Sequence, residues 1–284
     1  MEGREPSRTA RMVAGSRAAH QIVDNASVFK DPYARVILDA EAVAAADERA
    51  RDPTTRPFRL FLAARSRFAD DCIAREAERG LRQVVVLGAG LDTFGLRNPY
   101  RDIGLKVFEV DHPATQAWKR ERLAAAGIAR PCELAFVPVD FEGDDLAEGL
   151  SANGFRKDEA ALYIWLGVVP YLERQTVFSL LRFVAGFAEA GIVLDYSEPL
   201  ENHEPERRAR AAAMAARVAE AGEPWITLLD PPELTAELTA MGFGHIEDLG
   251  PNATARRYFD APANAPDSGA GPHILFASTR PGGR

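Results

Sequence analysis

The chain has 284 residues, 46% of them hydrophobic and 27% charged, with a formal net charge of −8; this suits a globule built as one large α/β domain or a domain with a cap. An acidic chain without a lysine- and arginine-rich stripe is excluded as a phosphate-neutralising nucleic-acid binder, and no apolar run approaches the roughly 20 residues that span a bilayer. Two cysteines, Cys72 and Cys132, supply neither a metal spacing nor a disulfide framework, so a reducing cytoplasm and a metal-free site are expected.

The opening Met-Glu-Gly-Arg-Glu-Pro carries no apolar signal core. Residues 7–30 alternate Ala, Val and Ile with Arg and His, which predicts an amphipathic helix broken by Asp31-Pro32-Tyr33. A second helical piece is expected over 33–49 and an interruption over 51–57. A long helix then runs over 58–79, with Phe58, Leu62, Phe68, Cys72 and Ile73 facing the core and Gly80 as C-cap. A helical cap over a cofactor mouth accounts for so much helix ahead of the first strand. It divides the chain into a cap, 1–82, and a core, 83–284, folding as one unit. In the last cap helix Arg65 and Arg67 precede Asp70 and Asp71. They form local ion pairs at helical spacing, or one arginine holds a ligand carboxylate as a bidentate fork.

Val84 to Leu87 is an unbroken apolar run that reads as a strand buried on both faces. Gly88-Ala89-Gly90 stops it. Two glycines two apart permit a tight turn and the close approach of a ligand, or simply a β-to-α turn with nothing bound. Asp92 or Thr93 can cap the helix that follows. Lys106 to Asp111 is a second strand ending in an acid, and an acid about 20 residues past the glycine turn is where a ribose hydroxyl is held. Its bland alternative is an N-cap for a helix over 114–126, with Pro113 in the first turn. Position 93 is Thr where a dinucleotide fingerprint has its third glycine, the next glycine being Gly95. This weakens a nicotinamide reading and favours a nucleoside ligand without pyrophosphate, such as S-adenosylmethionine (SAM).

The predicted helix with Trp118, Arg120, Leu123 and Ala126 closes at Gly127. A third strand over Leu134 to Val139 ends at Asp140-Phe141, a pair that can hold an adenine or cap a helix. A fourth strand follows over 160–166, then a structured turn over 167–172, a helix over 173–189 and a fifth strand from Gly191 to Tyr196. Residues 200–222 read as helix, where Arg207, Arg208 and Arg210, flanked by Glu204, Glu206 and Glu220, make a solvated face. Pro231-Pro232-Glu233 starts a helix ended by Gly242. His245 to Leu249 and His273 to Thr279 are expected as an antiparallel pair joined by a long loop, 250–272, with a frayed tail at 281–284.

Five parallel strands with crossover helices followed by a hairpin-like pair match the SAM-dependent methyltransferase sheet. Leu87-Gly-Ala-Gly-Leu-Asp-Thr93, Glu109-Val-Asp-His-Pro113, Asp195-Tyr-Ser-Glu-Pro199 and Gly222-Glu-Pro-Trp225 with Asp230-Pro-Pro-Glu233 closely resemble the leucine carboxyl methyltransferase family, and its bacterial branch of polyketide O-methyltransferases such as the tetracenomycin type. The resemblance implies an α/β, Rossmann-like class I methyltransferase fold, with a seven-stranded, mostly parallel sheet and an N-terminal helical cap. It matches Arg65 with the arginine on the methionine carboxylate, and Gly88, Ala89 and Gly90 with the turn under the methionine part. Asp111 matches the ribose acid, and Asp140 and Phe141 the adenine pair. A family glutamate five residues before Tyr171 is Leu166 here. The family's basic residue in the first helix is Arg17 or His20.

The function implied is transfer of a methyl group from SAM, leaving S-adenosylhomocysteine (SAH), to a carboxylate or phenol of a small, polyketide-like secondary metabolite. An NAD-dependent oxidoreductase and a non-catalytic SAM-binding protein are the alternatives. A carboxylate acceptor needs no general base. His203, Tyr171 and Tyr196 are the candidates for a phenol, and each is equally well packing or capping, so no catalytic residue is assigned. Arg256 and Arg257 either orient an anionic acceptor or lie on the surface. The oligomeric state is left open.

Overall fold

The computed structural model describes residues 8–140, 144–220, 222, 224–262 and 270–280. It divides into two units, Met1–Glu159 and Ala160–Arg284. The first carries α1 (Arg8–Val23), α2 (Ala40–Ala50), α3 (Arg56–Glu78), β1 (Gln83–Leu87), α4 (Phe94–Arg97), β2 (Lys106–Asp111), α5 (Pro113–Ala125), β3 (Leu134–Pro138) and α6 (Leu146–Ala152). The second carries β4 (Ala161–Trp165), α7 (Arg174–Ala185), β5 (Ala190–Ser197), α8 (Pro205–Glu220), α9 (Pro231–Ala240), β6 (His245–Leu249), α10 (Pro251–Tyr258) and β7 (Pro272–Ser278).

The first two helices differ from expectation, and the causes are local. α1 stops at Val23, not 30, because Asn25 and Ala26 adopt positive φ and the chain folds back over His20. The ring Nδ1 of His20 stands 3.1 Å from Asp24 Oδ2, and Nε2 accepts the Phe29 N–H at 3.4 Å. α2 begins at Ala40, not 33, because Asp39 Oδ1 accepts the Ala42 N–H at 2.7 Å and so fixes the start. Between them Ala34, Ile37 and Leu38 pack with Ala14 and Ala18 of α1 and with Leu91 into one apolar cluster. α3 ends as predicted. Gly80 at φ +96 lets its N–H reach Ala77 O (3.2 Å) and the Leu81 N–H reach Glu76 O (2.9 Å), the Schellman pattern. Leu62, Phe68, Cys72 and Ile73 are buried, and Phe58 is half-buried.

β1 is buried throughout, as its apolar run requires of a parallel strand. It pairs in parallel with β2, and β2 with β3, so the order β3-β2-β1 puts the carboxyl ends of all three on one edge. Gly95 explains how α4 packs so closely. A Cβ there would stand 2.6 Å from Leu134 Cδ1 and 3.0 Å from Glu109 Oε1. The close helix–strand approach for which a dinucleotide fingerprint uses its third glycine is here provided two residues later. Gly95→Ala is expected to cost roughly 1–2 kcal/mol by overpacking, read from urea unfolding; an unchanged midpoint would contradict the packing.

In the second unit β4 and β5 pair in parallel, and β7 lies antiparallel between β5 and β6, as expected of the late pair. The long connection 250–272 is a correction. It contains α10, with Pro251 at its first position, where a missing N–H costs nothing. Proline and glycine there mark a helix start, not continuous loop. α6, capped by Asp145, was also not legible. The tail 281–284 lies outside the described residues.

Candidate functional site

The carboxyl edge of β1, β2 and β3 gathers the predicted residues of the first unit. Gly88 and Gly90 sit at φ +61 and +48, in the left-handed region that a side chain resists. Ala89 between them donates its N–H to Val110 O at 3.0 Å, which ties the turn to β2. The Gly90 N–H donates to Asp111 Oδ2 at 2.5 Å, and the His112 N–H to Asp111 Oδ1 at 2.7 Å. Asp111 therefore faces the turn and does not cap α5; His112 is the cap, its Nδ1 accepting the Ala114 N–H at 3.2 Å. An ionised carboxylate has about four acceptor positions; Asp111 spends two on these backbone groups and one on the Thr115 side chain, and keeps one. Burial pushes the Asp111 carboxyl above its ordinary range, against the pull of the Gly90 and His112 N–H groups and of Lys119.

Asp140, half-buried, lies one step beyond β3 on the same edge. Val139 N–H donates to Asp111 O at 3.0 Å, and Asp140 Oδ2 stands 4.0 Å from His112 Nε2. It does not cap α6 either, because Asp145 Oδ1 takes the Ala147 and Glu148 N–H groups at 2.7 and 3.0 Å. Phe141 lies outside the described residues. Arg65 is 7% exposed in the middle of α3. The expected pairing of its neighbours divides: Arg67 takes Asp71 at 2.7 Å, whereas Asp70 is held from across the unit by Arg97 at 2.5 and 3.0 Å.

Behind the glycine turn lies a polar layer only partly anticipated. Asp92, not Thr93, caps α4 by accepting the Phe94 N–H at 2.7 Å. Thr93 Oγ1 instead donates to Asp31 Oδ2 at 2.7 Å, although Asp31 read as a helix breaker. Of the two first-helix candidates, Arg17 reaches this layer: it donates to Leu91 O and stands 3.5 Å from Asp92 Oδ2. His20 belongs to the turn after α1, beside Asp24, whose carboxylate Arg59 grips at 2.7 and 3.2 Å. Beneath them Lys119 Nζ donates to Glu109 Oε2 at 2.5 Å and to Asp92 O at 2.6 Å. Burial pushes Glu109 up to about 7 even with Lys119 beside it. No sequence spacing signals this pair, which is ten residues apart on a strand and a helix.

The remaining candidates lie in the second unit. Tyr196 OH donates to Asp248 Oδ2 at 2.5 Å, and burial first and Asp248 second push its phenol well up, so it stays protonated and is removed as a base. His203 is buried at the end of a short turn, 200–202, and Tyr171 ends another, 169–171, half-buried. Leu166 is half-buried just after β4. Arg257 pairs with Glu247, and Arg256 sits beside it in the last turn of α10. Arg208 donates to the carbonyls of Leu200, Glu201 and His203; the side chains of Arg207 and Arg210 lie outside the described residues. The Asp195–Pro199 motif works as a brace. Asp195 Oδ1 accepts the Gly167 N–H at 2.5 Å, and Glu198 Oε1 stands 2.9 Å from His273 Nε2. Among the described residues no group of three or more His, Cys, Asp or Glu is placed to hold a metal, and no helix is long and apolar enough to cross a membrane.

Comparison with known proteins gives this edge its context. The chain is 34% identical over 191 residues to YktD of Bacillus subtilis strain 168, named as a candidate S-adenosyl-L-methionine-dependent methyltransferase; the match covers 66% of this chain and 62% of YktD. The chain thus spans about three fifths of the length of that relative. Two solved structures share the fold at low identity. One is a candidate methyltransferase from Thermobifida fusca (TM-score 0.61, 17% identity, 98% of this chain and 96% of that one). The other is a DUF574 family protein from Streptomyces avermitilis (TM-score 0.55, 16% identity, 97% and 98%). With seven mostly parallel strands the fold is the Rossmann-like class I methyltransferase fold, as expected. The family model for leucine carboxyl methyltransferase matches residues 10–185, more than half of the chain, and the chain belongs to that family.

Proposed function

We propose that the chain is a SAM-dependent O-methyltransferase that methylates a carboxylate or phenol of a small, polyketide-like metabolite and releases SAH. The observation that carries the reading is the junction of Gly90 with Asp111: a positive-φ turn whose N–H meets a strand-end carboxylate at 2.5 Å. The residues fit the adenosyl group. Asp111 retains an acceptor position for a ribose hydroxyl, Gly88-Ala89-Gly90 offers backbone with little side-chain bulk, and Asp140 stands one strand further along the same edge. Arg65 holds the methionine carboxylate in this reading, and Phe141 the adenine face. When bound, SAM supplies an electrophilic methyl on a sulfonium, and the chain's own work is alignment and exclusion of water. Tyr196, kept protonated by burial and by its hydrogen bond to Asp248, takes no proton from an acceptor, which leaves His203 and Tyr171 as the base candidates for a phenol.

We read residues 1–82 as a cap that folds with the core 83–284, supported by Arg17 of α1 holding Leu91 and Asp92 beyond the glycine turn. A cytoplasmic site of action is supported by Cys72 and Cys132, neither of which forms a disulfide.

Asp111→Ala is expected to weaken SAM and SAH binding by at least ~1 kcal/mol, because a charge-assisted acceptor is lost. Isothermal titration reads this directly, and an unchanged dissociation constant refutes the ribose assignment. Transfer of labelled methyl to a panel of aromatic acids and phenols tests the chemistry. A label released by mild base marks an ester, and one that resists marks a phenol ether; no labelled product from either class would overturn the O-methyl reading.

A further inference from the structure

α5 carries a lysine where its buried stripe calls for a core residue. Thr115, Lys119 and Leu123 fall four apart on one face, and all three are buried. A buried ammonium gives up its hydration, and an ion pair of this kind is often matched in stability by two apolar side chains of the same size. The geometry gives Lys119 a different task, because it grips three elements at once. An ammonium has three donors. Nζ donates to Glu109 Oε2 of β2 at 2.5 Å and to Asp92 O, in the turn between β1 and α4, at 2.6 Å, and it lies 5.9 Å from the centre of the Phe136 ring of β3. Its two oxygen partners flank the junction of turn and strand. Glu109 is two residues before Asp111 on β2, so both side chains leave the same face of the sheet. Asp92 is two residues after Gly90. The near side of the turn is tied to β2 by the Ala89 N–H on Val110 O and the Gly90 N–H on Asp111 Oδ2. Bonds at two adjacent residues act as a hinge, and Lys119 holds the far side, beyond Leu91.

We propose that Lys119 is a positioning residue that sets the angle of the glycine turn over the tip of β2, and so selects a ligand that spans both: an amino-acid part on the turn and a ribose on Asp111. The proposal rests on the SAM reading above. A ligand that touches turn and strand together needs their spacing to be fixed before it binds, since any tilt of the turn must be removed at the expense of affinity. A ligand that rests on the strand-end acid alone does not. SAH is of the first kind. 5′-Methylthioadenosine, which is SAH cut back to a methyl group at sulfur, is of the second. Lys119 touches neither of them; it acts through Asp92 O and Glu109.

The test compares SAH with 5′-methylthioadenosine, each by displacement of labelled SAH. The variant is Lys119→Met combined with Glu109→Gln, which removes one positive and one negative charge together and so leaves the net charge of the site unchanged. SAH is expected to bind about two- to tenfold more weakly than to the wild type, the worth of one hydrogen bond, while methylthioadenosine keeps its wild-type affinity. Glu109→Leu combined with Lys119→Met, apolar on both sides, carries the test if the first variant does not fold. Equal weakening of both ligands, which is what a general loosening of the fold would give, overturns the inference, and so does unchanged SAH binding in a folded variant. A wild type that binds methylthioadenosine as tightly as SAH overturns it too, since the turn would then hold no amino-acid part. Wild-type protein that binds neither compound overturns the cofactor reading, and the inference with it.

Discussion

Lys119→Met is expected to destabilise the first unit by about 3–5 kcal/mol at pH 8, the range for removing one partner of a buried ion pair. Lys119 and Glu109 are each 1% exposed, and Nζ is held by Glu109 Oε2 at 2.5 Å and by Asp92 O at 2.6 Å. Methionine replaces the aliphatic stem and deletes the charge. Glu109 Oε1 already has no hydrogen-bond partner, so the variant leaves both carboxylate oxygens stranded. The pH dependence follows from the direction of the shift. Glu109 titrates at about 7 in the fold against 4.5 when unperturbed. A carboxyl raised in this way favours the folded state most below 4.5, and that contribution is lost as pH climbs through 7. Without Lys119 the carboxyl rises further, so the deficit of the variant widens with pH. Near pH 5 the group is neutral with or without Lys119, and the deficit should shrink to about 1–2 kcal/mol, the cost of unpaired polar atoms. Glu109→Gln combined with Lys119→Met should recover most of the loss at pH 8. Urea unfolding at pH 5 and pH 8 decides it; a deficit independent of pH would mean that the pair is not what holds Glu109.

His273→Leu is expected to cost the second unit about 2–4 kcal/mol near pH 6, by leaving the buried Glu198 and half-buried Asp248 carboxylates without their counter-charge. His273 lies between Asp248 Oδ1, 2.9 Å from Nδ1, and Glu198 Oε1, 2.9 Å from Nε2, and its ring stacks on Tyr196 with centroids 4.9 Å apart. Glu198 also accepts from Asn202 Nδ2 at 3.0 Å and from the Gly271 N–H at 3.2 Å. One imidazolium thereby joins the ends of β5, β6 and β7. Burial alone would lower the His273 pKa, but Asp248 and Glu198 together raise it above 6.5. A raised histidine contributes stability that is complete below 6.5 and lost as pH rises through its folded value. Glu198 works at the other end. It is also desolvated, but Asn202, His273 and Gly271 hold it below 4.5, so its contribution is complete above 4.5 and lost as pH falls through the depressed value. The clamp is therefore strongest between about 4.5 and 6.5. Hydrogen exchange of the β6 amides should accelerate in the variant most within that window and least near pH 9. Equal acceleration at both ends would show that the ring acts by packing alone.

Much of the site was legible because its signals are local. Gly88 and Gly90 are required by a backbone that turns left-handed directly after a buried strand, and Asp111 sits where a second parallel strand ends on the same edge. Spacing alone left a helix cap open for Asp111 and Asp140. The structure gives those caps to His112 and Asp145. The third glycine read as missing reappears in function at Gly95, because what matters is which residue of the helix meets Leu134, not its place in a motif. α10 escaped notice because Pro251 serves a helix start as readily as a loop.

From sequence alone came the parallel strands, the tight turn, the strand-end acids and the helical lead, since buried apolar runs, backbone constraint and fixed spacing act between near neighbours. Tertiary structure chose the partners: Thr93 with Asp31, Arg97 with Asp70, Lys119 with Glu109, and His273 with both Glu198 and Asp248. The physical reason is that a buried polar group must find its complement among whatever faces folding brings together, and no periodicity along the chain records which faces those are.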